Sequence, residues 1–477
     1  MKRFLTLLIT TLALAAALCV SASAANFHNA ASELAAIGVF KGTAGGFDLD
    51  KAPTRAQAAI MLVRLYGAEE EAAAAYASGE LKCPFTDVNG TAAPYVAWLV
   101  DKGLANGTSD TAFGAQEPCT SKAYTIFLLR ALGYRDNEDF TSANAQEFAM
   151  SIGLLDTSLF TGPFLRDDLA ALTYQALGSN LKDGSTYLLD SLIQSGAIDA
   201  SAAKPITDKI ETYRALQASG QALDEGMDAA VDAKMTISAG LKGQEGGTSF
   251  DMSQKLDAAI TGNIQFLMGQ NPQMAFDFSV TLSDGTETET QRMEYWLKDG
   301  TSYVRSGEAA YQTPADEDIA ALAAMLEQST GSSGAAMLPF IDRISAKASG
   351  GDTVYTLVLN DAFAGLITNL MGIFSDALPT DVEMQVNISM DGSTIQYTVD
   401  KDGVLKSALL DMTMEADLNA SEDGDTVAIS VGVDMDMRMD IKHTGKAVKI
   451  SYPDFSDFEK TIGGANGPTG IMATRVY

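Results

Sequence analysis

Thr54-Arg55-Ala56-Gln57-Ala58-Ala59-Ile60-Met61-Leu62-Val63-Arg64-Leu65-Tyr66-Gly67 decides the fold of the first half of this chain, because the stretch occurs three times. Thr120 to Gly133 (TSKAYTIFLLRALG) and Leu165 to Gly178 (LRDDLAALTYQALG) align with it without gaps. In the first copy Ala59, Leu62, Val63 and Tyr66 recur at i, i+3, i+4 and i+7, the apolar stripe of one helix. Thr54 with Gln57 is a capping-box pattern, Pro53 stands just outside, and Gly67 supplies a left-handed stop. Upstream of each copy a shorter apolar helix closes on glycine: Ser32 to Gly38, Tyr95 to Gly103 and Ala145 to Gly153. Each unit is therefore helix, Gly-rich loop, helix. A lone pair cannot cover its own apolar faces, so the three should pack on one another. The Ala-rich acidic stretch Glu69 to Ala77 lengthens the first interval.

These residues resemble S-layer homology repeats over about residues 27–200, in three units at about 27–68, 83–134 and 140–200. That family's pattern runs from an aromatic-x-Asp-Val start, through a Gly-x-x-x-Gly turn, to a Thr-Arg-Ala-Glu helix start and a Leu-x-Arg-x-Leu-Gly end. Phe85-Thr86-Asp87-Val88 opens the second repeat, Gly103-Leu104-Ala105-Asn106-Gly107 is its turn, and Thr54-Arg55-Ala56-Gln57 is the helix start of the first. The resemblance implies a pseudo-threefold all-α bundle that holds secondary cell-wall polysaccharide, often pyruvylated, in grooves between repeats. Arg55, Arg166, Lys122, Thr54 and Asp87 are the candidate polysaccharide-binding residues. A helix N-terminus offers N–H groups and partial positive charge, and an arginine at the first helical position adds a forked donor for a carboxylate. The competing reading pairs Arg55 and Arg166 with acids of their own surface. The second repeat departs from the pattern, with Ser121 in the arginine position and Lys122 next to it, and the first repeat lacks the aromatic-x-Asp-Val start.

Composition narrows the partners. Among 477 residues, 62 acids face 32 bases, a formal charge of −30, and this field repels nucleic acid and anionic membrane surfaces. Lys2-Arg3, the apolar run Phe4 to Val20 and Ala22-Ser23-Ala24 read as a signal peptide over 1–24, so the chain is expected to be exported to the cell wall or surface. No later stretch is expected to span a membrane after its cleavage. Cys83 and Cys119 flank one end of the second repeat and are disulfide candidates in an oxidising compartment. Neither a nucleophile–base set nor a metal-ligand cluster emerges, so the expectation is a non-enzyme without cofactor or metal.

Around Ala200 the composition shifts, and a linker helix is expected over 201–224. From 225 to 458 the hydrophobic period becomes 2, in Ala233–Ser238, Met274–Leu282, Arg292–Leu297, Val354–Leu359, Glu383–Met390, Ile395–Val399, Leu409–Leu418 and Val427–Ile441. Asp-Gly turns punctuate these strands. In the last, Val431, Val433, Met435, Met437, Met439 and Ile441 share one face, opposite Asp434, Asp436, Arg438 and Asp440. Carboxylates spread along a strand are a solvated face rather than a calcium loop. The expected fold is multidomain, α plus α+β, its second part a curved antiparallel half-barrel covered by helices at Asp316–Gln328 and Asp361–Asp376. In architecture it is similar to LolA/LppX-like carriers, which implies a possible apolar ligand in a Met-rich lining; ordinary core packing is the alternative. Residues 459–477 read as a tail. The leading functional expectation is a surface protein anchored by its repeats and displaying a β-rich module; the other is an extracytoplasmic carrier of a lipid or other apolar ligand.

Overall fold

The computed structural model describes residues 27–460 except 43–44, 89, 155–162, 246–247, 270, 315–336, 364–383, 391 and 423–424. The expected signal segment, the first cover helix, nearly all of the second and the tail from 461 on lie outside the described residues; Glu459 and Lys460, expected to begin that tail, instead form a short strand. The chain divides into two compact units, one of Ser23–Tyr213 with Ser333–Asp342, the other of Arg214–Ser332 with Arg343–Tyr477.

The first unit is all helical. Its helices are α1 (His28–Ala36), α2 (Arg55–Leu65), α3 (Glu69–Ala77), α4 (Ala93–Asp101), α5 (Ser121–Ala131), α6 (Ala145–Ser151), α7 (Arg166–Leu177), α8 (Leu188–Gln194) and the start of α9 (Ala200–Gly220). The repeated stretch is α2, α5 and α7, and the shorter partners are α1, α4 and α6. At α2 the full capping box forms, Gln57 N–H donating to Thr54 Oγ1 at 3.2 Å and Thr54 N–H to Gln57 Oε1 at 2.9 Å. Gly67 stops it with φ of 61°, whereas Gly178 closes α7 at φ −85° without entering the left-handed region. Leu34, Leu62, Leu65, Leu99, Tyr124, Phe127 and Tyr174 are fully buried, so the helix pairs hide their stripes in one another. The segment around Leu338–Phe340, from within the strand-rich half of the sequence, belongs to this unit: Phe340 packs edge-on to Phe27 with ring centres 5.4 Å apart. Beside it Lys209 Nζ is buried, donating to both oxygens of Glu33 at 3.0 and 3.1 Å and to the Ile341 carbonyl at 3.1 Å.

α9, Ala200–Gly220, begins one residue before the helix expected over 201–224. Ala202 N–H donates to Asp199 Oδ1 at 2.8 Å, which caps the start of the helix, and Pro205 lies inside it.

The second unit is one open sheet. Its strands are β1 (Gly226–Glu245), β2 (Thr248–Leu267), β3 (Gln273–Ser283), β4 (Thr288–Lys298), β5 (Thr301–Ser306), β6 (Ala309–Pro314), β7 (Ile341–Ser349), β8 (Asp352–Leu359), β9 (Met384–Ser389), β10 (Thr394–Val399), β11 (Leu405–Glu422), β12 (Asp425–Thr444) and β13 (Glu459–Lys460). They run in the order β13-β6-β5-β4-β3-β2-β1-β12-β11-β10-β8-β7, with β9 on β11. All pairings are antiparallel except β13 with β6, so the half-barrel expectation holds. Long β1 and β12 pair throughout, Met235 opposite Met435 and Ile237 opposite Val433. Ile237, Leu256, Met390, Met412, Met414, Val431 and Val433 form one apolar cluster, against which Phe363 packs. The opposite face is not wet throughout. Over β3 and β4 the chain returns with Tyr452, Phe455 and Phe458 and encloses Trp296 in a second, aromatic cluster.

Candidate functional site

The repeats interlock through their helix starts. Arg55 and Ala56, the first two residues of α2, donate their N–H groups to the carbonyls of Glu117 and Ala115 in the second repeat at 2.9 and 3.1 Å. Arg166 and Asp167, opening α7, donate to Lys51 and Leu49 of the first repeat at 2.9 and 3.2 Å. Glu117 and Lys51 each stand three residues before their own helix cap, so the two junctions are equivalent. This corrects the expectation of free N–H groups at these helix ends: neighbouring carbonyls and the caps already engage them, which leaves the guanidinium groups as the donors on offer.

Those side chains follow the same rule. Arg166 donates to the Lys41 carbonyl at 3.4 Å, in the Gly38–Gly42 turn of the first repeat, and Arg55 to the equivalent Asn106 carbonyl at 3.0 Å. Both hydrogen-bond to carbonyls rather than to carboxylates. The surroundings then diverge. Arg166 adds a bond from Nε to Phe47 O at 2.9 Å and lies over the Phe40 ring at 5.1 Å. It borders a groove of about 180 Å³, with Lys41, Gln57 and Arg64 as polar lining and Ile60, Met61 and Leu169 as apolar floor. Glu69, from the first turn of α3, bonds Lys41 and meets Arg64 Nε at 2.8 Å. Burial opposes the charge on Glu69, yet these two cations hold its carboxyl below the usual range. Lys41 and Arg64 thus share Glu69, while the acid that acts on Arg166 is Asp48, which also bonds Lys51 at 2.6 Å.

At the Arg55 junction the counterpart of Met61 is Phe127, fully buried, and the guanidinium lies between the Phe113 and Phe127 rings at 5.0 and 4.8 Å. Its Nε is buried without a hydrogen-bond partner, and burial lowers its pKa. Asn106 replaces Lys41. Arg130, counterpart of Arg64, forks onto Asp136 with two bonds of 2.8 Å. Aromatic packing has filled this second groove.

At the third junction Ser121 opens α5, accepting weakly from Gln146 at 3.5 Å. Lys122 is exposed. The turn it would face, beyond Leu154, lies outside the described residues. Asp87 is turned to its own repeat: its carboxylate accepts the N–H groups of Phe113, Gly114 and Ala115 at 2.8, 2.7 and 3.1 Å. Led by the Phe113 bond, these hold its pKa below the ordinary value. Asp87 therefore shapes the loop that presents the Ala115 carbonyl to α2. Thr54 spends its hydroxyl on the cap.

Residues 84–120 match the model of the S-layer homology domain. The match spans the aromatic-x-Asp-Val start, α4 and the turn at Asn106, and the chain thus carries a domain that indicates association with the cell wall or surface. No curated protein matches the chain. Among solved structures, LprF from Mycobacterium bovis is similar at 14% identity and TM-score 0.24, over 51% of this chain and 97% of that one. A DUF1329 family protein from Desulfovibrio piger ATCC 29098 is similar at 12% identity and TM-score 0.12, over 47% and 90%.

The expected disulfide is not formed. Cys83 and Cys119 are free thiols, directed at different carbonyls, those of Phe85 and Thr120. Cys119 occupies the place of Pro53 and serves as a buried apolar residue, its pKa pushed up to about 11 by burial. Among the described residues no helix is long and apolar enough to cross a membrane. Sequence reasoning missed Lys41 and Arg64 as the cations that line the groove with Arg166, and Glu69 as the acid that holds them. The gapless alignment held the signal, since it pairs Arg64 with Arg130, the same residue, but Met61 with Phe127, a larger one.

Proposed function

We infer that the chain is anchored non-covalently to an anionic secondary cell-wall polysaccharide through the groove headed by Arg166, and that it displays its β-rich unit at the surface. The observation that carries this is the meeting of Arg166, Arg64 and Lys41 around an open groove on a chain of formal charge −30. A local positive site on so acidic a molecule selects an anion against the long-range field, and it does so through forked donors suited to a carboxylate. Phe40 and Met61 offer an apolar surface for the sugar ring beside it. The test is co-sedimentation of the full chain with cell-wall sacculi that retain their secondary polymers. Binding is expected there and lost once the polymers are stripped; equal binding to bare peptidoglycan overturns the reading.

A further inference from the structure

The polar face of the second unit's sheet carries a depression of about 320 Å³. Its shape follows from one row of paired residues: Asp228 on β1, Gln265 on β2, Ala275 on β3 and Trp296 on β4 stand side by side across four strands. Ala275 is the short member, so the surface sinks between Gln265 and Trp296. The next row, Asn263, Asp277 and Glu294, forms the adjoining wall. On the far side the β1–β12 register slips between Asp228 and Ala229, whose partners are His443 and Ile441, and Lys442 is left as the extra residue. Bulges re-aim side chains, and this one brings Lys442 Nζ onto Asn263 Oδ1 at the rim. Trp296 is fixed from behind by Phe455 and Phe458, edge-on at 5.8 and 6.1 Å.

The carboxylates of this depression already hold basic partners. Asp277 takes both prongs of Arg292 at 2.8 and 2.7 Å, Glu294 bonds Arg292 and Arg305 at 3.2 and 3.4 Å, and Asp228 meets His443 Nδ1 at 3.2 Å. A cationic ligand has to displace these pairs; a neutral one does not. Each engaged oxygen keeps a second lone pair, and the Lys442 ammonium and Gln265 amide add donors. Acceptors and donors are thus held in fixed positions beside an aromatic wall. Hydroxyl groups, which both donate and accept, match that set, and the small part of Trp296 left open, with Arg305 over its ring at 5.6 Å, adds an apolar edge for the C–H groups of a ring. We propose that the depression binds a neutral saccharide unit, a site separate from the helical grooves and chemically opposite to them in taking an uncharged ligand.

The chain has two tryptophans, Trp98 and Trp296, so the full chain with Trp98→Phe reports on Trp296 alone. Titration with maltotriose, cellotriose and chitotriose should give a saturable change in emission with at least one of them. Ala275→Leu, which raises the floor, and Gln265→Ala, which removes a donor from the rim, should each weaken it about tenfold. Arg166→Ala should leave it untouched. The proposal is overturned if none of the three sugars gives a saturable change, if spermidine does so in their place, or if the response survives both variants.

Discussion

Arg166 and Arg55 occupy the same position of the repeat, open equivalent helices and reach equivalent carbonyls, yet Arg166 borders a groove while Arg55 lies between two phenylalanine rings. The difference lies two turns along the facing helix, where Met61 in the first repeat leaves room that Phe127 in the second takes up. A second exchange accompanies it: Phe40 lies beside Arg166, whereas Ala105 holds that place in the other turn. The backbone junction survives both exchanges because it is made of N–H groups and carbonyls. Side chains decide whether a junction keeps an open groove or becomes part of the core.

The largest expected effect breaks the comparison outright. Arg166→Ala should weaken binding to polymer-bearing sacculi ten- to hundredfold, the loss of a charge-assisted contact of about 1.5–3 kcal/mol. Arg55→Ala should leave the affinity of the folded protein nearly unchanged; an equal loss in both isotherms would erase the distinction drawn here. Stability should follow the reverse order. Arg55→Ala empties the space between two phenylalanine rings and should cost about 2–3 kcal/mol in urea unfolding, while Arg55→Met, which keeps the apolar stem and removes a desolvated charge, should recover much of it.

A transplant sharpens the contrast. Met61→Phe should fill the open groove as Phe127 fills the other and reduce sacculus binding roughly tenfold, or about 1.4 kcal/mol. Unaltered affinity with an intact melting curve would show that ligand does not reach the groove floor.

The smallest effect concerns the third residue of the repeated helix, Gln57 in the first repeat and Asp168 in the third. Asp168 accepts the Leu165 N–H at 2.7 Å, yet burial pushes its pKa up to about 7, with Asp167 adding to the shift. The folded protein therefore holds this proton more tightly than the unfolded chain does. Its contribution is complete below the unfolded value near 4 and is lost as pH rises toward 7. Asp168→Asn keeps the acceptor and removes the titration, so it should flatten that part of the stability profile by about 1 kcal/mol, allowing for the solvent screening of a half-buried group. Urea unfolding at pH 5 and pH 8 measures this; an unchanged slope would assign the pH dependence to other carboxyls.

Periodicity made the helices legible, because α2, α5 and α7 each carry the 3.6-residue stripe between recognisable ends. It also exposed β12, where strict alternation sorts Val431 to Ile441 from their charged neighbours. β2 was not legible: in Thr248–Leu267 polar and apolar residues mix, and its place follows from pairing with β1 rather than from its own pattern. β5, β6 and β7 are short or mixed for the same reason. At the candidate site, Arg55 and Arg166 stood out by position, but their fates depend on residues that meet only in three dimensions. Lys41 and Arg64 join Arg166 across more than a hundred residues of sequence. Cys83 and Cys119 illustrate the converse, since flanking the same repeat did not bring their sulfurs together.

The handing of helix-start N–H groups from one repeat to the next also constrains how the helical unit can come into being. The junction between Arg166–Asp167 and Leu49–Lys51 closes a loop of more than a hundred residues, a long-range contact whose entropy must be met before its bonds form. A growing chain that has reached only the second repeat can make the Arg55–Glu117 junction but not this one. The first repeat then keeps the Leu49 and Lys51 carbonyls without these partners until α7 emerges. This junction is thus tied to the last repeat, and the Arg166 groove, which needs residues of the first and third repeats, is the later of the two junctions to exist, with the Leu338–Phe340 segment still to follow.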